Sequence, residues 1–333
     1  MEFFNLGNLN WKQTQLIYHI LAYNNIECLV LSSPCDKYVS VGLHQNPRDE
    51  LDIDFCKKNN IGIFRRETGG GIVLLDNNQL FYNIILHRNN PDVPHFPEPF
   101  FRKFLQPVIQ TYNELGISAE FHPLCDLLVK EKKISGNGGG EIGECKVLVG
   151  NILLDFDYKL MSQVILSPES LRARFLELME NNITTVKKEL EFVPAKEKIC
   201  SILVKNFEDL IGKMTKGKVI DKITKKMTEL DKHYSSEKWL YQRGTKQIGR
   251  EIKVREGVLL FYETFNTKEG NIGITCETKA NIIKKVSFDT ENIPFKIDKK
   301  KLKDRFIGLE YDKNKLAYKM YDLLGSCGVV TND

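Results

Sequence analysis

Two glycine clusters, each beside a cationic side chain, are the stretches of this chain that could hold an anionic ligand. Residues 64–73 read FRRETGGGIV, and residues 133–140 read KISGNGGG. Consecutive glycines lack Cβ atoms, so a ligand can lie against their backbone, and successive free N–H groups form an anion-binding concavity. Arginine adds a planar donor that suits carboxylates and phosphates. Together, the two clusters predict one ligand that is contacted from two sides. For the first cluster taken alone, the alternative is a tight glycine turn with two solvated arginines.

The second cluster also contains a candidate catalytic cation. The ammonium of Lys133 could stabilise the negative charge that develops in acyl or phosphoryl transfer. Asp126 lies seven residues earlier on a predicted strand, and a carboxylate near a phosphate-binding lysine is a candidate Mg²⁺ ligand. The alternative for Lys133 is a solvated turn residue, because most lysines are exposed. Neither cluster matches a P-loop or a dinucleotide-binding fingerprint, so a bound nucleotide would need another architecture.

Composition favours a cytoplasmic globular protein of two domains. The chain has 333 residues, 42% of them hydrophobic, and a net charge of +4. Its eight cysteines form no C-x-x-C pair, which indicates free thiols in a reducing compartment. The lysines of the last third lack interleaved aromatic residues, so we expect a solvated surface and no nucleic-acid partner. We find no signal peptide and no apolar run long enough to span a membrane.

Periodicity predicts an α+β domain over residues 1–190. A helix is expected at 13–24, and a strand buried on both faces at 80–87. A second amphipathic helix, 99–115, contains Pro107, which should kink it or split it in two. Further strands are expected at 118–122, 126–130, 132–135 and 147–155.

The remaining chain predicts a connection and a second, smaller domain. Residues 191–235 have a helical, lysine-rich pattern. Residues 236–333 combine alternating strands, within 254–287, with two closing helices at 299–306 and 313–324. We therefore expect a small α+β accessory domain at the C-terminal end.

Ordered motifs over most of the chain resemble the lipoate–protein ligase A family, within the wider biotin/lipoate ligase superfamily. The resemblance implies a mixed β-sheet catalytic domain of that type, followed by the accessory domain. The matching segments are 41–47 (VGLHQNP), 65–73 (RRETGGGIV), 80–85 (LFYNII), 126–137 (DLLV followed by KISGN) and 149–154 (VGNILL).

The family resemblance implies an ATP-dependent reaction with Mg²⁺ assistance. A lipoate carboxylate would attack the α-phosphate of ATP to form lipoyl-AMP. A lysine of a lipoyl carrier domain would then accept the lipoyl group, and AMP would leave. The carrier would be of the 2-oxoacid dehydrogenase E2 type or the glycine cleavage H protein type.

By position, the resemblance assigns a role to each matching residue. Lys133 would be catalytic and contact the acyl carbonyl and the α-phosphate, and Asp126 would hold magnesium. Contacts to the substrate would come from Arg66, Thr68, Gly69, Gly70, Gly71, Gln45, Gly150 and Asn151. Contacts to the nucleotide would come from Asn83, Ser135, Gly136 and Asn137.

Three positions depart from the family pattern. Leu75 and Val149 stand where the family usually has histidines, and Cys125 stands where it has an asparagine before the aspartate. These changes leave the expected fold intact. They bear on the acyl chain and the carrier that the protein prefers.

Three other functions stay open from the sequence. The first is an ATP-independent octanoyl or lipoyl transferase of the same fold with a cysteine nucleophile. Cys125 and Cys145 flank Lys133, although the region where such relatives carry their cysteine, 118–122, has none. A biotin–protein ligase and a binding module that has lost activity are the others. ATP dependence separates the ligase from the transferase.

Overall fold

The computed structural model describes residues 1–218, 221–242, 249–267, 270–289 and 299–326. The chain forms two compact units, Met1–Thr245 and Lys246–Asp333. The strands of the first unit are β1 (Glu2–Leu9), β2 (Cys28–Pro34), β3 (Tyr38–Val41), β4 (Gly62–Arg65), β5 (Val73–Leu75), β6 (Gln79–His87), β7 (Glu120–His122), β8 (Asp126–Val129), β9 (Lys132–Ser135), β10 (Asn137–Ile142), β11 (Cys145–Leu153) and β12 (Thr215–Lys216).

Helices surround these strands in the first unit. They are α1 (Trp11–Tyr23), α2 (Pro47–Glu50), α3 (Ile53–Lys58), α4 (Pro97–Phe104), α5 (Gln106–Glu114), α6 (Tyr158–Val164), α7 (Glu169–Asn182), α8 (Val186–Leu190), α9 (Lys196–Ile211), α10 (Asp221–Tyr234) and α11 (Glu237–Leu240).

A six-stranded mixed sheet is the frame of the first unit. Its strand order is β10-β11-β6-β2-β1-β12. Strand β1 runs parallel to β2 and β12, and the other neighbours are antiparallel. Strand β6 is buried along almost its whole length, as its continuous apolar sequence predicts for a strand covered on both faces.

Alternate residues of the central strands supply two hydrophobic clusters, one on each face of this sheet. Leu29 and Leu31 of β2 face α4, α5 and α9, whereas Val30 between them faces α1. The same alternation places Tyr82 in the cluster that faces α4, α5 and α9, and Phe81 in the cluster that faces α1. The sheet is thus the middle layer between helices.

Both predicted helices near the start of the chain are present, with the expected break in the second. Helix α1 begins after Asn10, whose side chain accepts a hydrogen bond from the Gln13 N–H in a capping box. The region 99–115 is split into α4 and α5 at Leu105. Pro107 lies in the first turn of α5, where a missing N–H costs nothing, so the predicted break is confirmed.

Two three-stranded sheets carry the motifs of interest. One has the order β4-β3-β5, and the loop between β4 and β5 contains the first glycine cluster. The other has the order β7-β8-β9, with Asp126 on β8 and Lys133 on β9. Strand β10 follows β9 after the single residue Gly136 and contains the second cluster of glycines.

In the described residues of the second unit, a four-stranded antiparallel sheet is accompanied by two helices. It contains β13 (Arg250–Arg255), β14 (Val258–Thr267), β15 (Gly270–Lys279), β16 (Ile282–Asp289), α12 (Lys299–Asp304) and α13 (Lys313–Ser326). Phe261, Ile274, Phe288 and Phe306 are among its core residues. The predicted α+β accessory domain is confirmed.

The division of the chain differs in position from the prediction. The sequence predicts boundaries at 190 and 235, whereas the compact units meet at 245. Helices α9, α10 and α11 lie within the first unit. No helix among the described residues combines the length and apolar character needed to cross a bilayer.

Candidate active site

Arg66 organises the first glycine cluster from within. Its Nη1 donates to the carbonyl oxygen of Ser40 at 2.9 Å. Its Nη2 donates to the carbonyl oxygens of Gly69 and Gly71, each at 2.8 Å. Arg66 is only 8% exposed, and burial lowers its pKa. The guanidinium therefore fixes the shape of the loop, and the predicted contact between Arg66 and substrate stays a prediction.

The loop is also held against the end of β3 by close backbone contact. A Cβ atom on Gly42 would lie 1.9 Å from the carbonyl oxygen of Gly70. Gly70 has a φ of +95°, a conformation that favours glycine. The segments 41–47 and 65–73, which are far apart in the sequence, are thus in direct contact. Only glycine fits at positions 42 and 70.

The two glycine clusters meet, as the sequence predicts. Thr68 is 1% exposed. Its Cγ2 lies 3.6 Å from the position that a Cβ on Gly140 would occupy. The first loop therefore passes over strand β10, and any ligand between them would contact both.

Lys133 and Asp126 form an ion pair on neighbouring strands. The distance between Lys133 Nζ and Asp126 Oδ1 is 2.6 Å, and the two side chains are 20% and 6% exposed. The backbone of Lys133 is held as well, because its carbonyl oxygen accepts a hydrogen bond from the Thr184 N–H at 2.9 Å. The predicted catalytic lysine and metal-binding carboxylate are thus adjacent, and the lysine side chain is the more exposed of the two.

A chain of amide groups supports Gly136. Its N–H donates to Asn151 Oδ1 at 2.7 Å, and Asn151 Nδ2 donates to Gln79 Oε1 at 2.7 Å. Gln79 Nε2 in turn donates to the carbonyl oxygen of Leu74 at 3.0 Å. Gln79 was not predicted from the sequence. The sequence feature that could have indicated Gln79 is its position immediately before the apolar run of β6. A polar side chain that is buried at such a position needs hydrogen-bond partners.

A second network fixes Asn137 and explains Gly150. The hydroxyl of Tyr82 donates to Asn137 Oδ1, and Asn137 Nδ2 donates to the carbonyl oxygen of Cys125 at 2.9 Å. Ser135 Oγ donates to the carbonyl oxygen of Asn151 at 2.6 Å. A Cβ on Gly150 would lie 2.4 Å from both Asn137 Oδ1 and the Tyr82 ring. These residues hold one another beneath the glycine strand, and their predicted ligand contacts stay predictions.

Two other predicted site residues lie in different surroundings. Asn83 is 3% exposed within β6, paired with Val30 and Val149. Its Nδ2 has no hydrogen-bond partner among the described residues. Gln45 is partly exposed, and its N–H donates to the carbonyl oxygen of Gly42 at 3.1 Å. Gln45 thus stands beside the first loop, whereas Asn83 lies deep in the sheet.

The three departures from the family pattern occupy packed positions. Leu75 is 7% exposed within the hydrophobic cluster that includes Val30, Phe81 and residues of α1, here called the α1-side cluster, and Val149 packs against the same cluster. Cys125 is partly buried, and its Sγ donates to the carbonyl oxygen of Asn137 at 3.3 Å. Apolar side chains have replaced two histidines, and the cysteine belongs to the network around Asn137.

The chemistry of its surroundings bears on Asp126 as a candidate magnesium ligand. Among the parts of the chain that the structure describes, no three His, Cys, Asp or Glu side chains form a metal-binding group. Mg²⁺ commonly binds one or two carboxylates and completes its shell with water and substrate phosphates. A single carboxylate beside Lys133 fits that donor set.

A family model of the lipoyl protein ligase A/B catalytic domain matches residues 7–208. The chain is 27% identical over 221 residues to lipoate-protein ligase A subunit 1 of Thermoplasma acidophilum, covering 61% of this chain and 80% of that protein. It is also 26% identical over 242 residues to the octanoyltransferase LipM of Macrococcus caseolyticus, covering 62% and 84%.

Solved structures share the fold. The bipartite lipoate protein ligase of Thermoplasma acidophilum, described with its E2 lipoyl domain, superposes with a TM-score of 0.65 at 24% identity, covering 74% of this chain and 98% of that one. Plasmodium falciparum LipL1, in complex with lipoate, has a TM-score of 0.58 at 16% identity, covering 95% and 93%.

The mixed sheet, the arginine–glycine loop and the adjacent lysine strand are those of a lipoyl or octanoyl group-transfer enzyme. The chain belongs to the lipoyl protein ligase A/B catalytic domain family.

Proposed function

We propose that this protein is an ATP-dependent lipoate–protein ligase. In the first step, a lipoate carboxylate oxygen bonds to the α-phosphorus of ATP, and pyrophosphate leaves. In the second step, a carrier lysine amine bonds to the acyl carbon and loses a proton, and AMP leaves. Activation is needed because a carboxylate is itself a poor acyl donor.

The Lys133–Asp126 pair is the observation that carries this proposal. The Lys133 side chain is one-fifth exposed, and its ammonium lies 2.6 Å from a carboxylate oxygen of Asp126, whose side chain is nearly buried. A cation fixed in this way is positioned before the reaction, so it stabilises charge that develops on an acyl carbonyl or α-phosphate oxygen without first reorganising.

Asp126 has two roles in this proposal. It orients Lys133 through the ion pair, and it would hold a magnesium ion that arrives with ATP. When bound, such an ion would neutralise phosphate charge. The backbone of Gly69–Gly71 and of Gly138–Gly140 lets the acyl and phosphate groups lie close to the chain.

A lipoyl carrier domain is the proposed acceptor, either of the 2-oxoacid dehydrogenase E2 type or of the glycine cleavage H protein type. The Thermoplasma ligase, which is described with its E2 lipoyl domain, supports the first type. Neither type requires a nucleic acid or a membrane.

An ATP-independent octanoyl or lipoyl transferase is the second candidate. The similarity to octanoyltransferase LipM supports it. Cys125 is the cysteine nearest to the proposed site along the chain, and its thiol donates to the carbonyl oxygen of Asn137. A transferase of this kind would use a cysteine thiolate as its nucleophile.

The intact mass of an isolated lipoyl domain tests the proposal. We expect a gain of one lipoyl group after incubation with the protein, Mg²⁺, free lipoate and ATP, and no gain without ATP. Transfer from an acylated carrier protein in the absence of ATP would instead assign the transferase.

The substitution Lys133→Ala should lower the rate of lipoyl-AMP formation by about 100- to 1,000-fold, as loss of a positioned charge-stabilising donor does. The measurement is pyrophosphate release with lipoate and ATP. Lys132→Ala is the matched control, because it removes the same charge from the adjacent residue of β9. Equal activity in the two variants would contradict the role of Lys133.

A further inference from the structure

Residues 221–242, here called the rear segment, contact the start of the first glycine loop. The segment contains α10 and α11. Helix α10 packs on α1, where Asp231 forms an ion pair with Lys12 at 3.1 Å. Tyr234, at the end of α10, is 2% exposed and stacks on Phe64 with ring centroids 5.4 Å apart.

Side chains of the rear segment reach the backbone and side chains of the RRE sequence that starts the loop. Trp239 Nε1 donates to the carbonyl oxygen of Arg65 at 2.9 Å. The hydroxyl of Tyr234 donates to the carboxylate of Glu67, which also accepts from Tyr23 of α1 at 2.9 Å. Glu67 therefore lies between two tyrosine hydroxyls from two helices.

Two arginine side chains, Arg65 and Arg48, also contact the rear segment. The guanidinium of Arg65, 2% exposed, donates to the carbonyl oxygens of Gln242 and Leu43. The guanidinium of Arg48, next to the QNP motif, lies 4.1 Å from the centre of the Tyr241 ring. The rear segment thus contacts both the start of the arginine–glycine loop and helix α2, which begins at the proline of the QNP motif.

We infer that Trp239, Tyr234 and Glu67 are positioning residues that hold the arginine–glycine loop in its binding shape. A loop with three consecutive glycines loses much conformational freedom when it is ordered. Anchoring Arg65 and Glu67 restricts the loop before a ligand arrives, and this restriction lowers the cost of binding. Arg66 then organises the restricted loop through Gly69 and Gly71.

The kinetic consequence rests on the proposed ligase function. The loop would contact the acyl substrate in both the ground state and the transition state. A more mobile loop should therefore weaken the binding of the two states by the same amount. Uniform loss of binding raises KM and leaves kcat unchanged. A residue that only stabilised the fold would not give this split.

Trp239→Phe tests the inference, with Trp11→Phe as control. The substitution keeps an aromatic ring and removes the Nε1–H that contacts Arg65. Trp11, the other tryptophan, stacks on Tyr38 of β3. In full-length protein, we expect amide hydrogen exchange over residues 66–72 to be about three- to tenfold faster in Trp239→Phe, corresponding to one hydrogen bond. Exchange in β6 should stay as in the parent.

The second readout is the steady-state rate of lipoyl-AMP formation. We expect the KM for lipoate to rise about three- to tenfold in Trp239→Phe, with kcat within about twofold of the parent. Loop exchange and KM equal to those of Trp11→Phe would overturn the inference. Because hydrogen exchange needs no substrate, it tests the anchoring of the loop even if the parent shows no ligase activity.

A double-mutant cycle tests the Tyr234–Glu67 contact separately. Tyr234→Phe keeps the ring on Phe64, and Glu67→Gln keeps an acceptor without charge. We expect the two changes in loop exchange to be non-additive, because Tyr234→Phe removes the hydrogen bond that Glu67→Gln weakens. Tyr318→Phe, at a residue 79% exposed, controls for the loss of a tyrosine hydroxyl. Additive effects would overturn the contribution of this pair.

Discussion

His19 is a buried histidine whose surroundings favour the neutral ring. Its Nδ1 donates to the carbonyl oxygen of Gln15 at 2.7 Å, and its Nε2 has no hydrogen-bond partner among the described residues. The rings of Tyr18, Phe64 and Tyr234 lie around it. Burial lowers the pKa of His19 to about 4, although Glu67 and Gln15 act to raise it.

This lowered pKa predicts a loss of stability in mild acid. Between the unfolded pKa of 6.5 and about 4, the unfolded chain binds a proton that the native chain excludes, so stability falls as pH falls and levels off near pH 4. We expect the free energy of unfolding of the parent, relative to that of His19→Gln, to drop by on the order of 3 kcal/mol from pH 7 to pH 4.

Urea unfolding at several pH values measures this difference. His95→Gln is the control, because His95 is exposed. Parallel stability curves for the parent and His19→Gln would contradict the assignment, since a shared change would then come from other groups.

At the same scale, the motifs indicated which residues lie close together, but they did not indicate the hydrogen-bond partners of these residues. The pairing of Lys133 with Asp126 and the meeting of the glycine clusters could be expected from the motifs. The partners of Arg65 and Arg66 could not, because both guanidinium groups bind backbone carbonyl oxygens. Carbonyl positions depend on how distant segments pack, which no local pattern encodes.

Among the elements, strand β11 contains Gly150, a position where the packing leaves no room for a side chain. Gly150 faces the Tyr82 ring and Asn137 Oδ1 so closely that a Cβ would lie 2.4 Å from each. The sequence assigned Gly150 to substrate binding by resemblance. The contact gives it a structural role, whatever ligand binds nearby.

Gly150→Ala should therefore destabilise the protein by about 1–3 kcal/mol, as overpacking of a well-packed site does. Gly138→Ala is the matched control in the paired strand β10, because its Cβ would meet only Val149 Cγ2, at 3.9 Å. Thermal or urea unfolding gives the comparison. If Gly150→Ala unfolded at the same denaturant concentration as Gly138→Ala, the packing explanation would be wrong.

Elements with strong local signals were predictable, and those defined by distant pairing were not. The proline break between α4 and α5 and the buried strand β6 follow from local sequence. Strand β1 was missed because Glu2–Leu9 mixes polar and apolar residues and contains Gly7 at a φ of +58°. Strand β12 has two residues, and only pairing with β1 defines it.

For the whole molecule, the compact unit Met1–Thr245 predicts where the chain can be divided. Helices α10 and α11 contribute Tyr234 to the α1-side cluster, with Met227, Leu230 and Trp239 packed against it. The sequence predicted boundaries at 190 and 235 because the helical, lysine-rich composition of this region suggests a connection. Its packing depends on a few apolar residues that composition does not distinguish.

A protein ending at residue 245 should therefore unfold in one cooperative transition. Ending the chain at residue 218 removes the apolar side chains of the rear segment, so we expect the free energy of unfolding to fall by at least about 3 kcal/mol. Urea unfolding followed by far-ultraviolet circular dichroism compares the two. Equal midpoints would show that α10 and α11 add nothing to the stability of the first unit.

The position of the rear segment also sets a time at which the site can be completed during translation. The arginine–glycine loop is complete once residue 71 has been added to the nascent chain. Its contact with Trp239 can form only after residue 239 has been added. At ordinary elongation rates, the ribosome needs roughly ten to thirty seconds for that interval. A nascent chain would therefore have its core sheet before the arginine–glycine loop is secured, so tight ligand binding at this loop would be disfavoured in an unfinished polypeptide.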